Sequence, residues 1–463
     1  MYESYEKLIE LVNENDTPFF IKNNIDMMYR FIFSQKKYKL PLKQIIATNF
    51  LLDYYCIKNG QKKISSSLKN VRECDILFFY YPRRDLKNFI DPVAKKIAEK
   101  NISIAFLVQR KMLPYIDFLP NVKYYVQEDI INFRIVSEAK KKYRHYYLPL
   151  LLKWFQKIKI DIFYQRLIKI FFQNYALDKE MTFSFLNHMK PKCIYGIHYI
   201  SNPGCLDAIN SLNNKPVNVL IQHGFFSLEE RFEERFNDYK GADLVFLWGK
   251  YHQQILNDSY DVRPSIVLGN PKLEEALTKI EREKTEARLR KSDMLKILYV
   301  CSPYLKDQLN KECLDIFINA TKDQNFKITY KLHPIESIKD YKYYFKERLI
   351  FPEQLVLEDN ILPIINQSDI IVGTTSTSLY EAMVFMKPVV KVLPPYCKND
   401  WEKLGLPFAN SSSDLKIVIF RLRHELKFYE EVLSKEADLV QDYFNGIKGS
   451  SSRIAEYLVG LLS

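Results

Sequence analysis

Residues 364–392, IINQSDIIVGTTSTSLYEAMVFMKPVVKV, constrain the fold more than any other stretch of this chain. Asp369 to Val372 is a short apolar run, Gly373 to Ser378 a turn of small and hydroxyl residues, and Leu379 to Phe385 the start of a helix. Lys387-Pro388 breaks that helix before a second apolar run, Val389 to Leu393. Strand, turn, helix and strand in so short a span predict a parallel pair joined by a crossover helix. A helix N-terminus at the turn carries free N–H groups and the positive end of a dipole. Thr374, Thr375, Ser376, Thr377 and Ser378 are therefore candidates to hold a phosphate. Residue 377 or 378 is expected to cap the helix, which leaves the other hydroxyls without a local task. Glu381, one turn further in, stands where a carboxylate can accept bonds from ribose hydroxyls.

Upstream lies Tyr330-Lys-Leu-His-Pro334. Pro334 keeps His333 out of helical geometry, so the histidine ends a strand. Strand ends of a parallel α/β sheet lie at the ligand-facing edge. There an imidazole can donate to a phosphate oxygen, with Lys331 beside it and Ser302 at the end of the strand LKILYVC. A second histidine follows the strand NVLIQ, in Gln222-His223-Gly224. Across a cleft from the hydroxyl turn, a neutral His223 is a suitable general base for an acceptor hydroxyl. Gln222, Gly224 and Asn270, of the turn Gly269-Asn270-Pro271, are expected to line that cleft, and Glu229 and Glu230 are fallback bases. Phosphate turn, ribose acid and facing base are the parts of a nucleotide-sugar site.

The rest of the chain supplies a frame for two such edges. Residues 1–70 read as a helical N-terminal region, with apolar positions at helical spacing in Tyr5 to Val12 and Ile25 to Phe33. Strand and helix patterns then alternate: Asp75 to Tyr81, Asp91 to Lys100, Ile102 to Val108, Cys193 to Ile197, Pro203 to Leu212, Val217 to Ile221 and Leu244 to Trp248. A helical insertion at about 135–190 interrupts them. Between Lys140 and Ile170 it holds nine Lys or Arg and one acid, Asp161, among aromatic and aliphatic residues. This pattern fits an anionic membrane surface, or a solvated basic face over a packed aromatic one. Residues 71–271 thus form an acceptor-side domain and 272–430 a nucleotide-binding domain, with C-terminal helices at 431–463. Lys272 to Lys291 reads as a charged, solvated linker helix.

With 463 residues and 47% hydrophobic content the chain can build more than one core, yet no apolar run is long enough to span a membrane. Seven cysteines without CxxC spacing read as free thiols of a reducing compartment, so a cytoplasmic location is expected. The net charge of +12 favours anionic partners. The chain has no GxGxxG, P-loop, DxD or HExxH motif, so no cofactor and no essential metal are expected. Asp243 and Asp369 read as strand-leading residues.

The histidine-proline pair followed by a Ser/Thr turn resembles the sialyltransferases, polysialyltransferases and Kdo transferases that use CMP-activated sugars. Gln222-His223-Gly224 is similar to the HG motif of the CDP-glycerol polyol-phosphate transferases, and SLYEAMVFMKPVV resembles the broader GT-B glycosyltransferase pattern. The resemblance implies an α/β GT-B-like fold: two Rossmann-like domains facing a central cleft, with added helices. By the same resemblance His333 and Thr374 to Ser378 bind the donor phosphate, Glu381 binds ribose and His223 is the base. The sialyltransferases carry an acidic motif where this chain has His223. The expected activity is transfer of a sugar, from a CMP-sugar in first place, to a surface glycan or lipid-linked glycan, without a nucleic-acid partner. The alternatives are a CDP-polyol phosphotransferase, a nucleotide-sugar 2-epimerase, and a non-enzymatic basic protein binding RNA or membrane. The epimerase would need acidic catalytic residues in the cleft.

Overall fold

The computed structural model describes residues 70–463, together with Met28 and Leu68. Outside the described residues lie 81–82, 159–161, 198–203, 226–238, 240, 258–263, 280–293, 303–307, 334–335, 349–353, 358–359 and 398–400. The expected N-terminal helices, Glu229, Glu230 and most of the linker after Lys279 fall there.

Two all-parallel sheets organise the rest. The first has seven strands in the order β3-β2-β1-β4-β5-β6-β7. They are β1 Ile76–Phe79, β2 Ile104–Val108, β3 Lys123–Val126, β4 Cys193–Gly196, β5 Val217–Ile221, β6 Leu244–Leu247 and β7 Ser265–Val267. The second has six, in the order β10-β9-β8-β11-β12-β13. These are β8 Leu295–Val300, β9 Phe326–Lys331, β10 Gln354–Val356, β11 Ile370–Gly373, β12 Val389–Val392 and β13 Phe408–Ala409. Central strands such as ILFF, LVFL and IIVG are buried throughout, because helices cover both faces of a parallel sheet. Strand-leading acids pin the opposite, N-terminal edge: Asp243 accepts from the Asn218 amide and Asp369 from the Lys296 amide, both at 2.8 Å.

Alternate residues of one strand feed different cores. Leu77 and Phe79 pack beneath the insertion, with Trp154, Phe171, Phe172 and Phe185. Ile76 and Phe78 pack with Val93 and Ile97 of α1 (Asp91–Ala98). The insertion is helical at Phe133–Lys142, Leu148–Ile158 and α2 (Ile162–Met189), with a π-helical turn at Tyr143–Tyr147. Tyr143, Tyr147, Leu151, Trp154 and Phe155 are core, while Arg144, Lys153 and Lys157 are exposed, so the packed aromatic face is present. Tyr146, Leu152 and Ile162 remain outward among the basic groups. Among the described residues no helix is long and apolar enough to cross a membrane.

The core beside α1 runs on into the second half, taking in Leu298, Val300, Ile371 and Tyr380. The chain itself also returns. From the second sheet, α5 (Leu426–Tyr443) packs on α4 (Thr377–Val384), and α6 (Ser450–Gly460) packs on α1 and on α3 (Pro271–Lys279). The Glu274 carboxylate of α3 accepts from the amides of Gly449 and Ser451, at 2.5 and 2.7 Å, and so satisfies the positive end of α6. At the start of this crossing, Gly249 lies against the backbone of Asp442 and Tyr443, where a Cβ would overlap main-chain atoms.

Two stability predictions follow from this packing. Gly249→Ala is expected to cost about 1–3 kcal/mol, because a backbone cannot rotate out of the way as a side chain can; an unchanged urea midpoint would refute the close crossing. Glu436 of α5 is buried, accepts from the Val389 amide at 2.9 Å, and burial holds its carboxyl well above the usual carboxylate range. The folded chain then keeps a proton that the unfolded chain releases above about pH 4.3. Its stability contribution is full below that pH and is lost as pH rises toward the folded pKa. Glu436→Gln should flatten that decline between pH 4 and 8, and parallel midpoint-against-pH curves for variant and parent would exclude it.

Candidate functional site

Parallel strands direct all their C-terminal ends one way, and the site is assembled from two such edges. In the second sheet β9, β8 and β11 are neighbours, so His333, Ser302 and Thr374 follow adjacent strands. Strands are spaced about 4.8 Å apart, and the three residues therefore span about 10 Å of edge. The strand order reverses between β8 and β11, and there Ser302 Oγ and Thr374 Oγ1 are hydrogen-bonded. Gly373 makes the approach close: a Cβ would stand 3.0 Å from the Val300 carbonyl and 3.3 Å from Leu379.

The helix cap is Ser376, not residue 377 or 378. Its Oγ accepts from the Ser378 amide at 3.3 Å. Thr374 is buried against Ser302, and Thr377 Oγ1 accepts from the Phe225 amide at 3.1 Å. Three of the five hydroxyls of the turn thus have local tasks, while Thr375 is exposed and Ser378 half-buried. A hydroxyl that accepts still has a proton to donate, so these contacts orient the turn and leave it able to bind an anion.

Other candidates are placed differently from expectation. Lys331 is buried, with Nζ 2.5 Å from the Leu332 carbonyl. Glu381 is 1% exposed and its Oε1 is 2.6 Å from Lys272 Nζ. Lys272, read from sequence as the start of a solvated helix, has a side chain only 12% exposed. Gln222 and Asn270, expected along the cleft, are fully buried. The Gln222 amide accepts from the Trp248 amide and donates to the Gly224 carbonyl, both at 2.9 Å. Asn270 Oδ1 accepts from the Leu273 amide at 3.2 Å and starts α3, while its Nδ2 is buried without a hydrogen-bond partner among the described residues.

His223 follows β5 and is half-buried. Its Nδ1 is 3.4 Å from Tyr239 Oη, and its amide donates to the same oxygen at 3.3 Å. Tyr239 is 1% exposed, so the imidazole is held from within the fold. Two residues on, Phe225 leaves its own sheet and touches α4 at Thr377 and Tyr380. The loop after β5 and the start of α3 after β7 therefore meet α4, and the C-terminal edges of the two sheets face each other.

Sequence reading missed Tyr239, Lys272 and a further group on this edge. Tyr80, just after β1, donates to Asp91 at 3.0 Å. Burial pushes the Asp91 carboxyl up to about 6, against the pull of Lys87 3.6 Å away. Asp91 opens α1 ahead of a proline, a common helix start that conceals such a role. Among the described residues no group of three or more His, Cys, Asp or Glu side chains is placed to hold a metal ion.

No family model and no curated protein matches the chain. Solved structures do. A UDP-N-acetylglucosamine 2-epimerase superposes with TM-score 0.51 at 12% identity, covering 84% of this chain and 96% of that one. A protein described as the same epimerase from Listeria monocytogenes gives 0.53 at 13%, covering 83% and 95%. S. aureus MnaA with UDP gives 0.50 at 13%, covering 84% and 97%. The wall teichoic acid polymerase TagF covers 94% of this chain and 98% of its own, at 12% identity and TM-score 0.47. Identities this low speak to fold alone: two parallel α/β domains with added helices, in the GT-B-like arrangement.

Proposed function

We propose that the protein is a GT-B-type transferase that moves a sugar from a nucleotide-activated donor, a CMP-sugar in first place, to an acceptor hydroxyl of a surface polysaccharide. One observation carries the reading: the loop that holds His223 is bonded to the N-terminus of the helix that opens at the hydroxyl turn. A proton acceptor and an anion-binding helix end are thereby joined across one cleft. The CMP preference is supported by the pairing of His333-Pro334 with the Ser/Thr turn.

In the proposed reaction His223 Nε2 takes the acceptor proton as the acceptor oxygen bonds to the anomeric carbon. For this the proton of the neutral ring resides on Nδ1 and is donated to Tyr239 Oη. The bond from the anomeric carbon to the phosphate oxygen breaks with its electron pair, and the leaving nucleotide phosphate gains charge. His333, Thr375, Thr377 and Ser378, with the dipole of α4, stabilise that charge. Glu381 takes the ribose hydroxyls. Tyr146, Leu152 and Ile162, set among Arg144, Lys153 and Lys157, support a peripheral position at an anionic membrane, where lipid-linked acceptors reside.

Nucleotide binding is tested by thermal stabilisation with CMP, CDP, UDP and GDP. Ligand at a hundred times its dissociation constant should add about 2.7 kcal/mol. The effect is expected with CMP and should be lost in His333→Ala; CDP alone would favour polyol phosphate transfer, and no shift with any nucleotide would overturn the reading. His223→Gln should lower kcat by about 10²–10⁴-fold. Tyr239→Phe, which removes the hydrogen bonds to the His223 ring and amide, should lower it by about 3–10-fold. If His223→Gln keeps full activity and Asp91→Asn loses it, the base is Asp91.

A further inference from the structure

Phe225 belongs by sequence to the first sheet, yet its polar partner and its closest ring partner are on the second. Its amide donates to Thr377 Oγ1 at 3.1 Å. Its ring lies over Tyr380 with centroids 3.5 Å apart and planes 5° from parallel. Tyr443 and His252 close around it edge-on, at 4.8 and 4.7 Å, and Phe225 is 3% exposed. Tyr380 Oη in turn accepts from Trp401 Nε1 at 3.3 Å, which ties the stack into the core beneath α4. On the other side of His223, the Gln222 amide and carbonyl are held by Trp248 at 2.9 and 2.8 Å. The histidine therefore sits between two clamps, one in each half of the molecule.

Two residues of chain reach at most about 7 Å. The backbone from 223 to 225, bonded at Phe225 to Thr377, therefore keeps His223 close to the N-terminus of α4. The Phe225 amide also occupies a lone pair of Thr377, so that hydroxyl's proton is left for an anion.

We propose that Phe225 is a positioning residue for the transfer: its ring sets the distance from base to donor, and its amide turns Thr377 into a donor to the leaving phosphate. This inference rests on the transferase reading with His223 as base. A displacement of about 1 Å between reacting groups can cost about 100-fold in rate.

The test is steady-state kinetics on Phe225→Leu, Phe225→Tyr, Thr377→Val and the double variant Phe225→Leu/Thr377→Val. Phe225→Leu should lower kcat by about 10–100-fold while the donor KM stays within about twofold. Phe225→Tyr, which keeps the stacked ring, should restore most of the rate. The double variant should lose less than the product of the two single losses, because both act on one contact. A folded Phe225→Leu with parental kcat, or strictly multiplicative losses, would overturn the proposal. Where Phe225→Leu does not fold, the volume-conserving Phe225→Met is measured against the same limits. His223→Gln separates the two ideas. If it abolishes turnover while Phe225→Leu leaves kcat unchanged, the base stands and the clamp falls; if it has parental activity, the transferase reading with that base falls first.

Discussion

A buried ion pair and a stacked ring pair hold the two sheets edge to edge. Lys272 and Glu381 meet at 2.6 Å with side chains 12% and 2% exposed, and Phe225 lies flat on Tyr380 nearby on α4. Such a pair adds little over an apolar contact, but loss of one partner leaves a buried charge at a cost of about 3–5 kcal/mol. The value of the contact is specificity of approach. An apolar seam alone permits sliding, whereas an ammonium and a carboxylate with one good geometry set the register between α3 and α4. With α6 returning to the first half and capped by Glu274, the halves are joined by chain, core and charge.

That joint also explains which parts of the molecule were readable in the sequence. Central strands were legible because burial on both faces demands largely apolar runs, unbroken in β1 and β11 and interrupted by one polar residue in β5 and β8. The edge strands β3, β10 and β13 were not. Lys123-Tyr-Tyr-Val, Gln354-Leu-Val and Phe408-Ala are short and partly exposed, so they carry no periodic signal. The hydroxyl turn was located correctly between strand and helix, but the capping residue and the partners of Thr374 and Thr377 were not. Ser302 and Thr374 are 72 residues apart in the chain, and Phe225 and Thr377 are 152 apart. No local pattern encodes such pairings. Lys272 was misjudged because a lysine in a charged helix is ordinarily solvated; its burial depends on a carboxylate 109 residues later.

The fold by itself leaves the chemistry open. Neighbours at 12–13% identity include 2-epimerases with the same two-domain plan, and one plan serves many reactions. The balance must come from side chains at the edges. An imidazole braced by a buried tyrosine and fastened to a phosphate-type turn favours proton removal from a hydroxyl. Asp91 is the competing group, since a carboxyl near pH 6 on the same edge also suits acid–base work. The two differ in where they sit: Asp91 opens α1 beside the β1–β4 switch point, while His223 lies two residues before Phe225, whose amide bonds α4.

Glu381 poses the sharpest question for the proposed donor site, because its carboxylate is already paired with Lys272. Displacing Lys272 by neutral hydroxyls would leave the carboxylate buried without a counter-charge, and two hydroxyl bonds do not offset that loss. A carboxylate, however, has about four acceptor positions. Lys272 is 2.6 Å from Oε1, which leaves positions on Oε2 for a ribose hydroxyl while the ion pair stays intact. In that arrangement the lysine holds Glu381 in place, and its own charge lies near the nucleotide. On the proposed reading α3 then contributes to donor binding through Lys272, and the loop after β5 supports the hydroxyl turn through Phe225. Donor affinity and the closeness of the two halves become one property of the same seam.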